Sequence, residues 1–221
     1  MAISITKGQY ARLHTNLPAP HFVFLNGPPH SGKDEAARFL RYMFEPTNVF
    51  EFKRPLIGVL AGALYMHVDD LIDNPILYKD IKDNPQEELG GMTGREFMIG
   101  VSEKVYKGQS VYGKQVFGQL VLQEWQKFWD SNKSLAICPD SGFLAEAVPI
   151  IECYGADKCL LIHVHRQGCN FDNDSRSYWL YDNTLTTVEL QNDGDLFAWQ
   201  AKVGHTVHSW FNSLDNANNL G

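Results

Sequence analysis

The chain has 221 residues, 44% of them apolar and 20% charged, with 26 acidic against 19 basic side chains and a net charge of −7. That length supports a full core in one globular domain, or one domain with an inserted lid, and the acidic balance argues against bulk coating of nucleic acid while leaving a small anionic substrate or a local basic groove open. Cys138, Cys153, Cys159 and Cys169 form no C-x-x-C pair, which argues against a zinc ribbon or disulfide scaffold; no apolar run approaches the ~20 residues of a bilayer span, and residues 1–10 lack a signal-peptide core.

His21–Asn26 is rich in β-formers and reads as one buried strand running straight into glycine and proline. From Lys33 the apolar positions Ala36, Ala37, Phe39, Leu40 and Met43 recur at helical spacing. Val49–Phe52 is a candidate strand, and Leu56–Val68 a candidate helix, followed by Asp/Asn/Pro-rich chain to Pro85 that reads as irregular. Thr93 and Glu96 form a capping box for a helix to about Lys107. A further helix is predicted over Gly113–Trp129, then a strand Ser134–Cys138 ending at Asp140, a helix Phe143–Tyr154 despite Pro149, and strands Lys158–His165 and Thr187–Gln191. Leu196–Leu214 closes as a helix, and the Asn-rich tail 216–221 reads as disordered. The order predicts an α/β fold of three layers, with a mostly parallel central sheet covered by helices on both faces.

Gly27-Pro28-Pro29-His30-Ser31-Gly32-Lys33-Asp34 fits G-x-x-x-x-G-K, with a strand before it and a helix after it. In that setting consecutive backbone N–H groups and the helix start form a nest for nucleotide phosphates, and Lys33 adds a point charge. Glycine at Gly32 lets the backbone approach closely. Asp34 stands where a hydroxyl normally binds magnesium; it either ligates Mg²⁺ or complements the positive end of its helix.

The loop FLNGPPHSGKDEAARFL resembles that of the phage deoxynucleoside monophosphate kinases, a branch of the P-loop kinases. FKRPLIGVLAGAL, MTGREFMIGVSEKVYK, ICPDSGFLAEAVPI and TTVELQNDGDLFAW are similar to family segments in the same order, spanning roughly residues 22–203. The resemblance implies a single P-loop kinase domain over about 1–215, with acceptor-binding helices at about 53–110 and a small lid at about 167–180. It implies ATP and Mg²⁺ as cofactors, with residues 27–35, including Glu35, on the phosphates and Asn192, Asp193 and Gly194 near the adenine. Lys53, Arg54, Arg95 and Glu96 would surround the acceptor, while Arg166 and Arg176 are lid arginines that act in catalysis beside Lys33. It also implies a homodimer and a cytoplasmic location, that of the host if the chain is phage-encoded.

PDSGF at residues 139–143 departs from the family's D-V-R-F, with Gly142 in place of the arginine, which weakens a phosphate clamp. Asp140 reads either as a general base for a hydroxyl acceptor or as a carboxylate in the magnesium shell. Three functions follow. The first is transfer of the ATP γ-phosphate to a deoxynucleoside monophosphate, including a base-modified one. The second is phosphorylation of the hydroxymethyl group of 5-hydroxymethyluracil in DNA, with Trp179 and Tyr178 stacking on an extruded base or packing the lid. The third is an inactive nucleotide-binding module. His163 and His165, along one strand, and His205 and His208, on a helix, read as structural.

Overall fold

The computed structural model describes residues 13–14, 20–128, 135–172 and 174–218. Expectations for residues 1–10, for the predicted element ends at Trp129 and Ser134, and for the last residues of the tail lie outside the described residues.

Strand β1, His21–Asn26, is buried along its whole length. Successive side chains point to opposite faces, so Val23 and Leu25 join one core layer while Phe22 and Phe24 join the other. A strand apolar on both sides belongs in the middle of a parallel sheet, and β1 lies there. Its companions are β2 Thr47–Val49, β3 Leu135–Cys138, β4 Cys159–His165 and β5 Thr186–Gln191, all parallel and in spatial order 2-3-1-4-5. Val23 sits opposite Ile137 on one side and Leu160 on the other.

One face is covered by helix α1, Lys33–Met43, whose Phe39, Leu40 and Met43 pack with Trp199, Val203, Val207 and Trp210 of the closing helix. The other face packs Phe22 and Phe24 against Phe117, Val121 and Trp125 of a helix over Val116–Phe128 and Ile150 and Ile151 of one over Leu144–Tyr154. This is the expected three-layer architecture. The chain passes from β1 over β3 to the outer strand β2, returns through β3 and then crosses β1 to β4, so chain direction across the sheet reverses beside β1. In open α/β sheets ligands bind at that crevice, beyond the carboxyl ends of the strands.

The segment between β2 and β3 carries more helix than its composition predicts. Helix α2, Arg54–Ala63, ends before the expected Val68 because Tyr65 turns left-handed (φ 55°), with Tyr65 N–H bonding Gly62 O and Met66 N–H bonding Ala61 O. That is a Schellman closure with tyrosine where glycine is usual. The Asp/Asn/Pro-rich stretch expected to be irregular holds α3, Val68–Ile72, and α4, Pro75–Asp83. Asn74 Oδ1 accepts the Leu77 N–H, 3.1 Å, and Pro75 occupies the first helical position, so the Asn-Pro pair starts a helix. Leu71 and Ile81 bury against Leu60 and Met98 in a third core cluster.

Helix α5, Gly94–Val101, starts on the predicted capping box: Glu96 N–H bonds Thr93 Oγ1 at 3.2 Å, and Thr93 N–H bonds Glu96 Oε2 at 2.8 Å. It continues through a π-helical turn, Ser102–Tyr106, into Lys107–Gln109. The helices beyond it are α6 Val116–Phe128, α7 Leu144–Tyr154 and α8 Leu196–Asn218. Thus α8 extends through 216–218, where a disordered tail was expected. Strand β2 also lies earlier than the expected Val49–Phe52. After Phe50 N–H bonds Ile137 O, the chain leaves the ladder and the Asp140 carboxylate takes over the Phe52 and Lys53 N–H groups.

Candidate phosphate-transfer site

The loop after β1 has the shape its sequence predicts. His30 (φ 62°) and Gly32 (φ 103°) are both left-handed, which turns successive N–H groups toward one concavity. Ala36 N–H is the first to bond back into α1, to Gly32 O, so the N–H groups of Lys33, Asp34 and Glu35 have no acceptor within the helix. Pro28 and Pro29 lie before this run of donors and subtract nothing from it.

Gly27 is required by space and Gly32 by its left-handed backbone as well as its neighbours. A Cβ on Gly27 would stand 2.5 Å from Val164 O, and one on Gly32 would stand 2.4 Å from Asn192 Nδ2. Asn192 Nδ2 donates to Ser31 O at 2.8 Å, and Trp199 Nε1 to Gly32 O at 3.2 Å, so the β5 loop and α8 clamp the turn from outside. Asp193 pairs with Lys202, and Gly194 follows it in the same exposed loop. Asn192, expected near the adenine, therefore braces the phosphate loop.

Lys33 Nζ reaches back to Gly27 O (2.8 Å) and Pro28 O (2.6 Å), with a longer contact to Ser31 Oγ at 3.4 Å. This bends the ammonium across the mouth of the nest. Burial, with repulsion from Arg176 second, lowers its pKa from the usual 10.5 to about 8. A bound phosphate favours the charged form and so draws a proton onto Lys33 wherever the free ammonium has begun to ionise. The affinity for metal-free ADP is therefore expected to be level below about pH 7.5 and to fall above about pH 8, toward tenfold per pH unit, as read by calorimetric titration. An affinity unchanged to pH 9.5 would separate Lys33 from the phosphates.

Arg176 comes from the segment 166–185, hereafter the strap, which holds no helix or strand among its described residues. Its stem lies across Gly142, where an added Cβ would be 2.3 Å from Arg176 Cδ. The guanidinium is held by both oxygens of Asp174, with Nε to Oδ1 at 2.8 Å. Gly142 thus makes room for an arginine delivered from the other side of the cleft. Arg166, exposed just past β4, donates to His30 O at 3.3 Å and stands at the loop's rim.

The expected lid is tied down. Asn26, fully buried at the end of β1, donates from Nδ2 to Ser141 O (2.9 Å) and Ser177 O (3.2 Å), and accepts the Trp179 N–H (3.3 Å). His163 bridges Glu189 Oε1 and Trp179 O, at 2.7 and 2.9 Å, in the structural role read from its sequence. His165 also contacts Glu189, while His205 and His208 lie along α8 beside Ser209 and Asn212. Trp179, expected among the substrate-binding residues, is instead 6% exposed; its ring meets Phe24 edge-on and its Nε1 donates to Ser141 O. Tyr178 bonds Val164 O and packs among His163, His165 and Phe171. The buried Trp179 ring offers no free face to an extruded base.

On the opposite side, the Asp140 oxygens accept the Phe52 N–H at 3.0 Å and the Lys53 N–H at 3.1 Å, fastening the end of β3 to the start of α2. Lys53 Nζ pairs with Glu51 at 2.9 Å. Burial alone would lower the Lys53 pKa, but Asp140 and Glu51 outweigh it and hold the ammonium above its usual value; burial pushes Glu51 up, against the pull of Lys53. Arg54 is exposed at the start of α2. Arg95 pairs with Asp83 at 2.9 Å across α4 and α5, and Glu96 is occupied by its capping box. Glu35, exposed in part, is held by Arg38 and by Gln200 Nε2 at 2.8 Å, so only its backbone serves the nest.

Of the residues singled out by sequence, the fold brings together the loop, Lys33, Asp140, Lys53, Arg166 and Arg176, and leaves Glu96 and Trp179 in structural roles. Sequence reading missed Asn26, Glu51 and Glu146. Asn26 carries a signal, a lone amide between an apolar strand and a glycine; the other two become visible only once β3 lies beside β1. Magnesium bound with a nucleotide is held largely by phosphate oxygens and water, plus one or two carboxylates. Asp34, exposed in the first turn of α1 and felt electrostatically by Lys33 and Glu51, fits that part. Asp140, already accepting two backbone N–H groups, fits it less well. Among the described residues no three acidic, histidine or cysteine side chains form a metal cage, and no helix is long and apolar enough to cross a membrane. Comparison with protein-family models and with curated proteins gave no match.

Proposed function

We propose that the protein is an ATP-dependent phosphotransferase that moves the γ-phosphate to a deoxynucleoside monophosphate, working in the cytoplasm where ATP is supplied. The observation that carries this reading is the left-handed turn at residues 30–32, which aims the N–H groups of the α1 start and the Lys33 ammonium into one concavity. Phosphoryl transfer asks mainly for positioning and charge neutralisation. Lys33 and the nest hold the phosphates of the donor, Arg176 reaches the transferring group from above Gly142, and Arg166 closes the rim. Bound Mg²⁺, with Asp34 as its protein carboxylate, supplies further neutralisation of phosphate charge. An acceptor phosphate is already ionised at neutral pH and needs no base, which suits a cleft whose Asp140 is engaged by backbone N–H groups.

A second reading, phosphorylation of a hydroxymethyl group on a pyrimidine in DNA, draws support from the carboxyls Glu51, Asp140 and Glu146 gathered on the acceptor side, since a hydroxyl must lose a proton. The burial of Trp179 weighs against it. The test is incubation with Mg-ATP labelled at the γ-phosphate and either the deoxynucleoside monophosphates or duplex DNA containing hydroxymethyluracil. Label in a deoxynucleoside diphosphate is the expected result. Label confined to DNA selects the second reading, and ATP binding without transfer leaves a nucleotide-binding module.

A further inference from the structure

The end of β3 and the start of α7 carry two buried polar residues, Ser141 and Glu146. Ser141 is 1% exposed and its Oγ is unpaired, although its carbonyl accepts from both Asn26 and Trp179. Glu146, on the first turn of α7, is 7% exposed, and its carboxyl has no hydrogen-bond partner among the described residues. Both lie at the carboxyl edge of the sheet, next to Asp140 and across from the phosphate loop.

The groups facing Glu146 fix its character. Asp140 from the end of β3 and Glu103 from the π-turn repel a negative charge there, while Lys107 after that turn and Arg176 from the strap attract one. Burial dominates and raises the Glu146 pKa to about 8. At neutral pH the side chain is a carboxylic acid, presenting one O–H donor beside one carbonyl acceptor. Such a pair does not suit a phosphate, which Asp140 and Glu103 would also oppose. It does suit the edge of a nucleobase, where a ring N–H or amino group adjoins a carbonyl or ring nitrogen. Phe143, half-buried one turn earlier with Lys107 Nζ 4.5 Å from its ring centre, supplies a flat apolar neighbour of the kind a base stacks on.

We propose that Glu146 reads the hydrogen-bonding edge of the acceptor's nucleobase. This rests on the phosphotransferase reading for what the acceptor is, but not on turnover for its test. Glu146 is here a specificity residue that binds as a neutral acid, and ionisation removes its donor. Affinity for the acceptor is then lost as the pH rises through the range where Glu146 ionises.

The test is calorimetric titration of the four deoxynucleoside monophosphates and hydroxymethyldeoxyuridine monophosphate, from pH 6.5 to 9.5, into the wild type, Glu146→Gln and Glu146→Ala. Metal-free ADP affinity and melting temperature serve as checks on the loop and the fold. The wild type is expected to bind at least one monophosphate with an affinity that falls above pH 8, toward tenfold per pH unit. Glu146→Gln, a permanently neutral donor–acceptor pair, should bind within about threefold of the wild type at pH 7 and lose the pH dependence. Glu146→Ala should bind about ten- to a hundredfold more weakly. Identical pH profiles in all proteins, or no binding of any monophosphate by the wild type, would overturn the assignment. So would a glutamine variant that binds normally but loses turnover, since Glu146 would then be a proton acceptor. Absence of transfer with the expected binding profile would instead count against the phosphotransferase reading alone.

Discussion

Lys33→Met is expected to lower phosphoryl transfer by about a hundred- to a thousandfold, while leaving the fold at neutral pH at least as stable as the wild type. The two effects share one cause. The ammonium is held in a buried position facing Arg176, where its pKa falls to about 8. Between that value and the usual 10.5 the unfolded chain binds more protons than the folded one, so folding stability from this group rises with pH across that window. Below about pH 8 the full penalty of burying the charge is present. Methionine keeps the aliphatic stem and removes the penalty, a gain of up to about 2 kcal/mol at pH 7, reduced because the Gly27 and Pro28 carbonyls lose their donor. Urea unfolding at pH 7 and pH 10 should show the advantage of the variant shrinking at the higher pH, beside a turnover assay. Unchanged turnover would remove the loop from the chemistry, and a variant much less stable at pH 7 would make Lys33 a structural residue.

The fold was legible where local signals agree with tertiary demand. An unbroken apolar strand, a glycine loop and an amphipathic helix each point the same way in β1 and α1, and the sheet placed them as expected. Legibility failed where one residue type serves two purposes. Asn74-Pro75 reads as a breaker by composition yet is a helix start, because proline costs nothing at the first helical position. Tyr65 gives no sign in sequence that it closes α2, since a left-handed tyrosine is set by the surrounding packing, not by its own preference.

The candidate site divides along the same line. The phosphate loop is one contiguous stretch, so spacing and context find it. The acceptor side is assembled from β3, α2, α5, α7 and the strap, and linear reading cannot pair Arg176 with Gly142 across that distance. In sequence, Gly142 reads as a missing guanidinium only by comparison with the motif that the segment resembles. In space, the Arg176 stem occupies the volume that any side chain at that position would need. The arginine at this edge of the cleft is carried by the strap, and its restraint comes with it: Asp174 and the tether from Asn26 to Ser177 hold it.

Gly27→Ala is expected to destabilise the protein by about 3 kcal/mol or more, a larger effect on folding than Gly32→Ala. The obstacle at Gly27 is backbone: a Cβ would lie 2.5 Å from Val164 O and 3.0 Å from Ser31 Oγ. Val164 belongs to β4, whose register with β1 and β5 is fixed by hydrogen bonds on both sides, and its carbonyl also accepts from Tyr178 at 3.1 Å. Relief requires moving β1 and β4 apart at the centre of the sheet or re-aiming the loop, and the loop carbonyl that moves is one that Lys33 bonds. At Gly32 the nearest obstacle is the Asn192 side chain at 2.4 Å, which can rotate away at the cost of its bond to Ser31 O. What remains there is left-handed strain of about 1–3 kcal/mol, placed where a phosphate would approach. Gly32→Ala should therefore weaken ADP binding more than it lowers the melting temperature, and Gly27→Ala should do the reverse or abolish folding. Thermal unfolding paired with ADP titration separates them. A Gly27→Ala protein as stable as the wild type would mean that β4 does not confine the start of the loop, and the close packing that shapes the nest would lose its support.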